Sequence, residues 1–235
     1  MKVINWNTEW AKPGSTRGHR VAAQIAAHRP DIACLTEAYP RMASEGGHEI
    51  TSSDETGYEN EGGRRKVLLW SSEPWTDSWQ AEGTGLPGGR FISGVTSGIR
   101  IVGLCIPWSM AHVTTGRRDR KPWEDHLAYL EALSPVLADF LTKPEPLLVT
   151  GDWNQRIPKT RQPAEAFTAL VKAMEGLSIV TSGTLPEVNE LLIDHLALSP
   201  SLAASDILAI PKRDEAGKPL SDHLGYALKI ASENT

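Results

Sequence analysis

The sequence is short of cysteine and of net positive charge. Only two of its 235 residues are cysteines, Cys34 and Cys105, and both lie inside apolar segments. Such thiols are typical of core positions and exclude a disulfide-stabilised scaffold, so a reducing cytoplasm is the expected compartment. The formal net charge of −5 excludes a protein that is basic over its whole surface, although it allows local basic patches for a polyanion.

Long hydrophobic runs are absent as well. No segment has the length needed to span a bilayer, and the N-terminal MKVINWNTEW has no apolar core of signal-peptide length, so we expect no membrane contact. Neither an internal repeat nor a linker divides the sequence. With 40% hydrophobic and 23% charged residues the composition is that of an ordinary globular protein, and we expect one domain over residues 1–235.

Hydrophobic periodicity predicts three helices among many strands. Ser15 is expected to cap a helix that ends near His28, Pro122 to begin a helix that reaches Leu141, and residues 163–175 to form the third. Strands are predicted at residues 2–7, 31–37, 66–72, 90–97, 99–108, 145–152, 177–182, 191–199, 205–211 and 224–232.

Two stretches carry no such signal and are predicted as loops. They are the glycine-rich residues 40–63 and the segment around Trp75 and Trp79. Many strands with a few helices between them indicate a sheet-rich α/β domain, most simply two packed sheets with helices outside.

The least ordinary segment is PLLVTGDWNQRIP, residues 146–158. A strand of the buried type runs into Gly151, after which Asp152 and Asn154 flank Trp153. In an extended segment, positions two apart share a face, so both polar side chains can point at one ligand while Trp153 points into the core. A plain turn is the alternative, because Gly, Asp and Asn all favour turns.

Other strands also carry groups that bind metal ions or phosphate. Polar side chains stand at the strand ends at Asn7, Glu9, Glu37, Asp222 and His223. Asp194 lies inside an otherwise apolar strand, where an unpaired carboxylate is costly, and it therefore needs a partner. Each residue has an ordinary explanation alone, but the ordered set favours a site.

Five segments, taken in order, resemble the signature motifs of the endonuclease/exonuclease/phosphatase superfamily, which includes apurinic-site endonucleases and pancreatic-type deoxyribonucleases. They are INWNTEW, DIACLTE, GDWN, IDHLALS and SDH. The resemblance covers nearly the whole chain, from Lys2 to the last strand. It implies a four-layer α/β sandwich, in which helices flank two packed, mostly antiparallel sheets, and it implies metal-dependent hydrolysis of a phosphate ester.

The resemblance also implies a metal site. Glu37 would be the principal ligand of Mg²⁺ or Mn²⁺, and Glu9 and Asp222 would complete an oxygen-rich shell. Hard oxygen ligands suit these ions, whereas the sequence has no Cys/His cluster for zinc. Asn7 would orient the metal ligand and the phosphate.

The remaining motif residues would act on the phosphate itself. Asp152 matches the residue that holds or deprotonates the attacking water, and Asn154 matches a donor to a phosphate oxygen. Asp194 would hold the imidazole of His223 in its protonated form, which can bind a phosphoryl oxygen.

One position departs from the family pattern. Cys105 stands where many nucleases of the superfamily carry a tyrosine or histidine that contacts the phosphate, and a thiol is a poor donor. Either His112 or an arginine of the following loop replaces that contact, or the substrate is held differently. An ordinary loop histidine is the other explanation of His112.

Several further residues are candidates for substrate binding. They are Arg117, Arg118 and Arg120 in GRRDRK, together with Arg156 and Trp108. The cations would hold a phosphodiester backbone and the indole would stack on a base, unless these residues form a solvated loop and ordinary packing. We therefore favour a nuclease or phosphodiesterase acting on DNA or another nucleic acid. A small-molecule or lipid phosphate is the alternative substrate, and an inactive binding scaffold is the alternative of another class.

Overall fold

The computed structural model describes residues 1–43, 46–59, 62–185 and 188–233. Within these residues the helices are α1 (Thr16–Ala27), α2 (Glu124–Phe140) and α3 (Ala164–Ala173). The strands are β1 (Lys2–Asn7), β2 (Ile32–Ala38), β3 (His48–Thr51), β4 (Arg65–Ser71), β5 (Thr76–Trp79), β6 (Phe91–Thr96), β7 (Ile99–Cys105), β8 (Leu147–Asp152), β9 (Ser178–Ile179), β10 (Asp194–Leu198), β11 (Leu202–Ile210) and β12 (Gly225–Ser232).

The strands form two six-stranded sheets that pack face to face. Sheet A has the order β11-β12-β1-β2-β4-β3, and sheet B has the order β5-β6-β7-β8-β10-β9. One central pair in each sheet is parallel, β1 with β2 and β7 with β8, while the other pairs are antiparallel. The chain is thus the predicted α/β sandwich with mostly antiparallel sheets.

Three hydrophobic clusters explain the layers. Val3 and Ile101 belong to the cluster between the sheets, whereas their neighbours Ile4 and Val102 belong to the clusters beneath α1 and beneath α2 and α3, respectively. Because alternate residues face opposite sides of a sheet, strands covered on both faces read as continuous apolar runs. This is why the central strands were predictable.

The predicted helices are present, with capping as expected at the first. The Ser15 side chain accepts the backbone N–H of Gly18. Helix α2 begins at Glu124. The preceding residue, Trp123, occupies the N-cap position with a left-handed backbone conformation. None of the three helices in the described part of the chain combines the length and hydrophobicity that a bilayer span requires.

The loop predictions were wrong at two places. Strand β3 lies within residues 40–63 and pairs with β4, and β5 lies in the segment of Trp75 and Trp79 and pairs with β6. Both are short strands at sheet edges whose residues are mostly half-buried or exposed, so they lack a strong apolar pattern. The strand predicted at 177–182 is shortened to β9, which has two residues.

Candidate active site

Four side chains of sheet B lie side by side at the edge where β8 ends. Cys105 is in register with Asp152, and Asp152 with Asp194. Arg90 directly precedes β6, and its backbone carbonyl accepts the N–H of Cys105, so the row extends by one strand. Residues in register on neighbouring strands point to the same face, which here is the face that meets sheet A.

Asp152 is buried and held by two asparagines. One carboxylate oxygen accepts the Nδ2–H of Asn7 at 3.1 Å, and the other accepts the backbone N–H of Asn154 at 3.1 Å. Burial raises the pKa of Asp152 to about 7, and the neighbouring Asp194 carboxylate adds to the increase, while His223 opposes it. The carboxylate can therefore exchange a proton near neutral pH.

Asp194 has the partner that the sequence analysis predicted. Its Oδ2 lies 2.6 Å from Nδ1 of His223, and its Oδ1 accepts the Nδ2–H of Asn5 at 3.3 Å. Burial alone would lower the pKa of His223, but the charge and hydrogen bond of Asp194, with help from Asp152, raise it to about 10. The imidazole is thus a cation at neutral pH.

The loop that carries His223 is fixed by strand β1. The Ser221 hydroxyl donates to the carbonyl of Asn7 and accepts the N–H of His223, while the indole N–H of Trp6 donates to the carbonyl of His223.

Metal-binding atoms of Asp152, Asp194 and His223 all lie within 4.8 Å of one another, so this group has the spacing of a metal site.

The three predicted metal ligands lie on the side of sheet A, and each is close to a basic side chain. Glu37 has a positive φ of 47° and its Oε1 is 2.7 Å from Nζ of Lys66. Glu9 pairs with Arg17 at 2.8 Å, and Asp222, which is 65% exposed, lies 3.9 Å from Nε2 of His223.

Asn154 also has a positive φ, of 54°, in the left-handed region that asparagine enters more readily than most residues with a side chain. Its Nδ2 donates to the carbonyl of Ile106 at 2.9 Å, and this bond ties the loop after β8 to the end of β7. Such backbone conformations persist where the surroundings fix them and are frequent at functional sites.

Most of the predicted substrate-binding residues of the β7–α2 loop line one pocket of 680 Å³. Its lining comprises Tyr58, Trp108, Met110, His112, Gly116, Arg117 and Arg118. Trp108 is 54% exposed and thus is not a core residue. The ring of His112 accepts the backbone N–H of Arg120 and is in part a loop-building residue.

Arg120 and Arg156 lie elsewhere. The guanidinium of Arg120 pairs with Asp125 at 2.7 Å and Glu124 at 3.1 Å, so it fastens the loop to α2 instead of facing the pocket. Arg156 lines a smaller cleft of 170 Å³ together with Asp194, His223 and other residues. It is therefore a neighbour of the buried catalytic candidates.

A buried hydrogen-bond network lies beneath the two loops. His126 of α2 contacts the carbonyl of Pro107 at 2.6 Å and Nε2 of Gln155 at 2.8 Å. His195 contacts the Gln155 carbonyl at 2.9 Å and the Thr181 hydroxyl at 3.0 Å. The network joins the segments that precede Trp108 and follow Asn154.

Sequence reasoning missed Asn5, Arg90 and Lys66 as site residues. Asn5 precedes Asn7 by two positions on one strand, so period-two alternation could have indicated it. Arg90 and Lys66 gave no local signal, because their importance depends on which strands are neighbours.

Comparison with known proteins agrees with this architecture. A model described as the endonuclease/exonuclease/phosphatase family matches residues 4–223. None of the curated proteins searched is significantly similar to the sequence.

Solved structures share the fold at low sequence identity. An AP endonuclease from Archaeoglobus fulgidus is 21% identical with a TM-score of 0.70, and the match covers 97% of this chain and 98% of that one. A Neisseria 3′ phosphatase, NExo, bound to a product DNA hairpin is 19% identical with a TM-score of 0.70, over 98% and 99% of the two chains. The catalytic domain of human Nocturnin with bound sulfate is 17% identical with a TM-score of 0.69, over 99% and 93%.

Proposed function

Because the chain belongs to the endonuclease/exonuclease/phosphatase family, we propose that it is a divalent-metal-dependent hydrolase of phosphodiesters in nucleic acid. The observation that carries the proposal is the buried contact of Asp194 with His223 beside Asp152. It supports the proposal because hydrolysis at phosphorus requires a proton acceptor and a cation, roles that the carboxylate of Asp152 and the imidazolium of His223 would fill.

In the proposed reaction, Asp152 orients the attacking water and accepts its proton. A pKa of about 7 suits this role, since the carboxylate is then available at neutral pH and still basic. The imidazolium of His223, fixed by Asp194, binds a non-bridging oxygen of the phosphate as negative charge develops there. Asn154 and Asn7 position the carboxylate.

The carboxylates on the side of sheet A are chemically suited to a divalent cation, but Glu37, Glu9 and Asp222 are not among the described groups whose ligand atoms lie within 4.8 Å of one another. His223 is protonated through Asp194, so the closely spaced group that contains it is poorly suited to metal binding. Glu37, with Glu9 and Asp222, offers hard oxygen ligands, and the Glu37 carboxylate already holds a positive charge, that of Lys66. When bound there, Mg²⁺ or Mn²⁺ would neutralise charge on the phosphate oxygens and the leaving oxygen.

Two observations support a nucleic-acid substrate. One neighbour in fold was solved with a DNA hairpin product, and another is named an AP endonuclease. The pocket with Trp108, Arg117 and Arg118 combines an exposed indole with two cations, which suits a base and its backbone phosphates. The buried free thiols Cys34 and Cys105 support a reducing compartment such as the cytoplasm.

The proposal is tested with a substrate panel in the presence of Mg²⁺ or Mn²⁺. The panel contains plasmid, single-stranded and abasic-site DNA, RNA, a small chromogenic phosphodiester and a phosphate monoester. We expect turnover of a nucleic acid that stops with chelator and returns with added metal. Turnover of small esters alone would show that the substrate is a small phosphate ester and not nucleic acid. Full activity in chelator would overturn the metal dependence.

A further inference from the structure

Sheet B buries two arginines that differ in their partners. Arg100, which is 5% exposed, pairs with Asp77 and lies 4.0 Å from Glu145. Arg90, which is 2% exposed, forms no ion pair with any carboxylate in the described part of the chain. A buried cation without a counter-ion is unfavourable, so Arg90 requires an explanation beyond packing.

The contacts that Arg90 does make are weak. One terminal nitrogen is 3.3 Å from the Cys105 carbonyl and 3.7 Å from the Cys105 thiol, which is a poor acceptor. Its Nε is buried without a hydrogen-bond partner, as is the Nε of Arg100. What distinguishes Arg100 is its carboxylate partners and the Phe140 ring, whose centroid lies 4.7 Å from its guanidinium. The Arg90 backbone is nevertheless well fixed, because its carbonyl accepts the hydroxyl of Tyr129.

The position of Arg90 indicates which anion it would bind. The residue stands beside Cys105 in the row that continues to Asp152 and Asp194, and this row faces the cleft between the sheets. Both carboxylate oxygens of Asp152 already accept hydrogen bonds from Asn7 and Asn154. Asp194 is likewise engaged by His223 and Asn5.

We propose that Arg90 is a phosphate-binding residue of the active site, whose counter-ion is the oxyanion of the substrate. It would supply the contact that Cys105 cannot make, in place of a side chain from the following loop. His112 is less suited, because one ring nitrogen accepts the N–H of Arg120. The guanidinium is a fork of donors that matches the oxygens of a phosphate. This inference rests on the proposed function for its substrate, but not for its binding test.

The binding test uses inorganic phosphate and sulfate on the metal-free full-length protein. The variants are Arg90→Met, Arg90→Lys and, as a matched control, Arg100→Met. A ligand that binds only the folded protein raises its Tm. We expect phosphate to raise the Tm of wild type and Arg100→Met, and to raise that of Arg90→Met much less, because only the proposed contact of His223 remains. Arg90→Lys, which keeps the charge, should retain part of the increase.

The Tm without phosphate gives a second readout. Arg100→Met breaks an ion pair and should lower the Tm, whereas Arg90→Met removes an uncompensated charge and should leave it equal or higher. A merely structural Arg90 predicts a loss of Tm in Arg90→Met as large as that in Arg100→Met. That result, or an undiminished phosphate effect in Arg90→Met, would overturn the proposal.

Kinetics then relate the residue to turnover. Loss of a charged hydrogen bond to phosphate should reduce kcat/KM about 10- to 100-fold in Arg90→Met, with partial recovery in Arg90→Lys. Unchanged kcat/KM in Arg90→Met would contradict the inference. If wild type hydrolyses no ester in the panel, the proposed function fails, whereas the phosphate-binding result still decides the role of Arg90.

Discussion

The two sides of the cleft hold their charged groups in different ways. On the side of sheet B, Asp152 and Asp194 are buried and receive hydrogen bonds from neighbouring side chains. On the side of sheet A, Glu37 and Glu9 are partly exposed and form ion pairs with Lys66 and Arg17. The two carboxylates of sheet B thus have fixed partners within the protein, whereas those on the side of sheet A are paired with exchangeable cations.

The difference follows from the energetics of burial. A buried charged group is costly unless its partners are fixed, so groups that transfer protons or bind phosphate are pre-positioned where water is excluded. Partly exposed ion pairs contribute little to stability, so exchanging an ammonium for a metal ion costs little there. We infer that sheet B holds the side chains of the proposed reaction in fixed positions, and that cation binding rearranges the ion-paired side chains on the side of sheet A.

The largest effect on activity should come from Asp152, on the side of sheet B. Asp152→Asn removes the proton acceptor while preserving the size of the side chain, and we expect kcat to fall roughly 10²–10⁴-fold with metal binding retained. Steady-state kinetics and calorimetric metal titration measure the two properties. Asp206→Asn, at an exposed ion pair with Lys229, is the control and should alter neither. Near-normal kcat in Asp152→Asn would remove this residue from the mechanism.

The next effect tests whether Asp194 and His223 act as one unit. Removing either should cost about as much in kcat/KM as removing both, because each needs the other to place a cation at the phosphate. Asp194→Asn, His223→Gln and the double variant form the cycle. Losses that multiply in the double variant would show that the two side chains work independently.

The same pair should make stability depend on pH. His223 has a pKa of about 10 in the folded protein and about 6.5 when unfolded, so its contribution is complete below pH 6.5 and lost as pH rises to 10. The free energy of unfolding, measured in chelator, should exceed that of His223→Gln by on the order of a few kcal/mol at pH 6, and much less at pH 10. A difference that stays constant with pH would exclude a stabilising imidazolium.

On the side of sheet A, two substitutions should shift metal affinity in opposite directions. Glu37→Gln should weaken Mn²⁺ binding, because it removes the charged ligand. Lys66→Met should strengthen Mn²⁺ binding by about fivefold. In the wild type the metal must displace the Lys66–Glu37 ion pair, which is worth about 1 kcal/mol, and in the variant this pair is absent. Titration of the substrate-free protein measures both. Weaker binding in Lys66→Met would show that Lys66 supports the metal site and does not compete with it.

The smallest effect is expected in the loop pocket. Arg117→Ser with Arg118→Ser should leave turnover of a small phosphodiester unchanged and reduce the salt dependence of KM for DNA, by about one logarithmic unit for each lost phosphate contact. Arg120 is left intact because it fastens the loop to α2. Lys172→Ser with Lys218→Ser, at two exposed positions, removes the same two charges and controls for net charge. An unaltered salt slope would favour a small-phosphate substrate.

The sequence allowed the layers and much of the site to be predicted because both depend on local patterns. Buried strands read as apolar runs, and polar residues at their ends stood out, as at Asp152 and Glu37. Edge strands β3 and β5 have no such pattern. Arg90 and Lys66 were missed as site residues for another reason: their meaning comes from strand register, which joins residues far apart in the chain.

The network beneath the site also has a direction. Since carbonyl oxygens only accept, His126 donates to Pro107 and accepts from Gln155, while His195 donates to the Gln155 carbonyl and accepts from Thr181. Every proton in this chain of bonds therefore points the same way, towards the loop of Trp108. Burial lowers the pKa of both histidines to about 4, and a second proton on His126 would face the Nε2 donor of Gln155. Protonation of His126 in acid would therefore oppose its bond to Gln155, the contact through which the loops after β7 and β8 are joined.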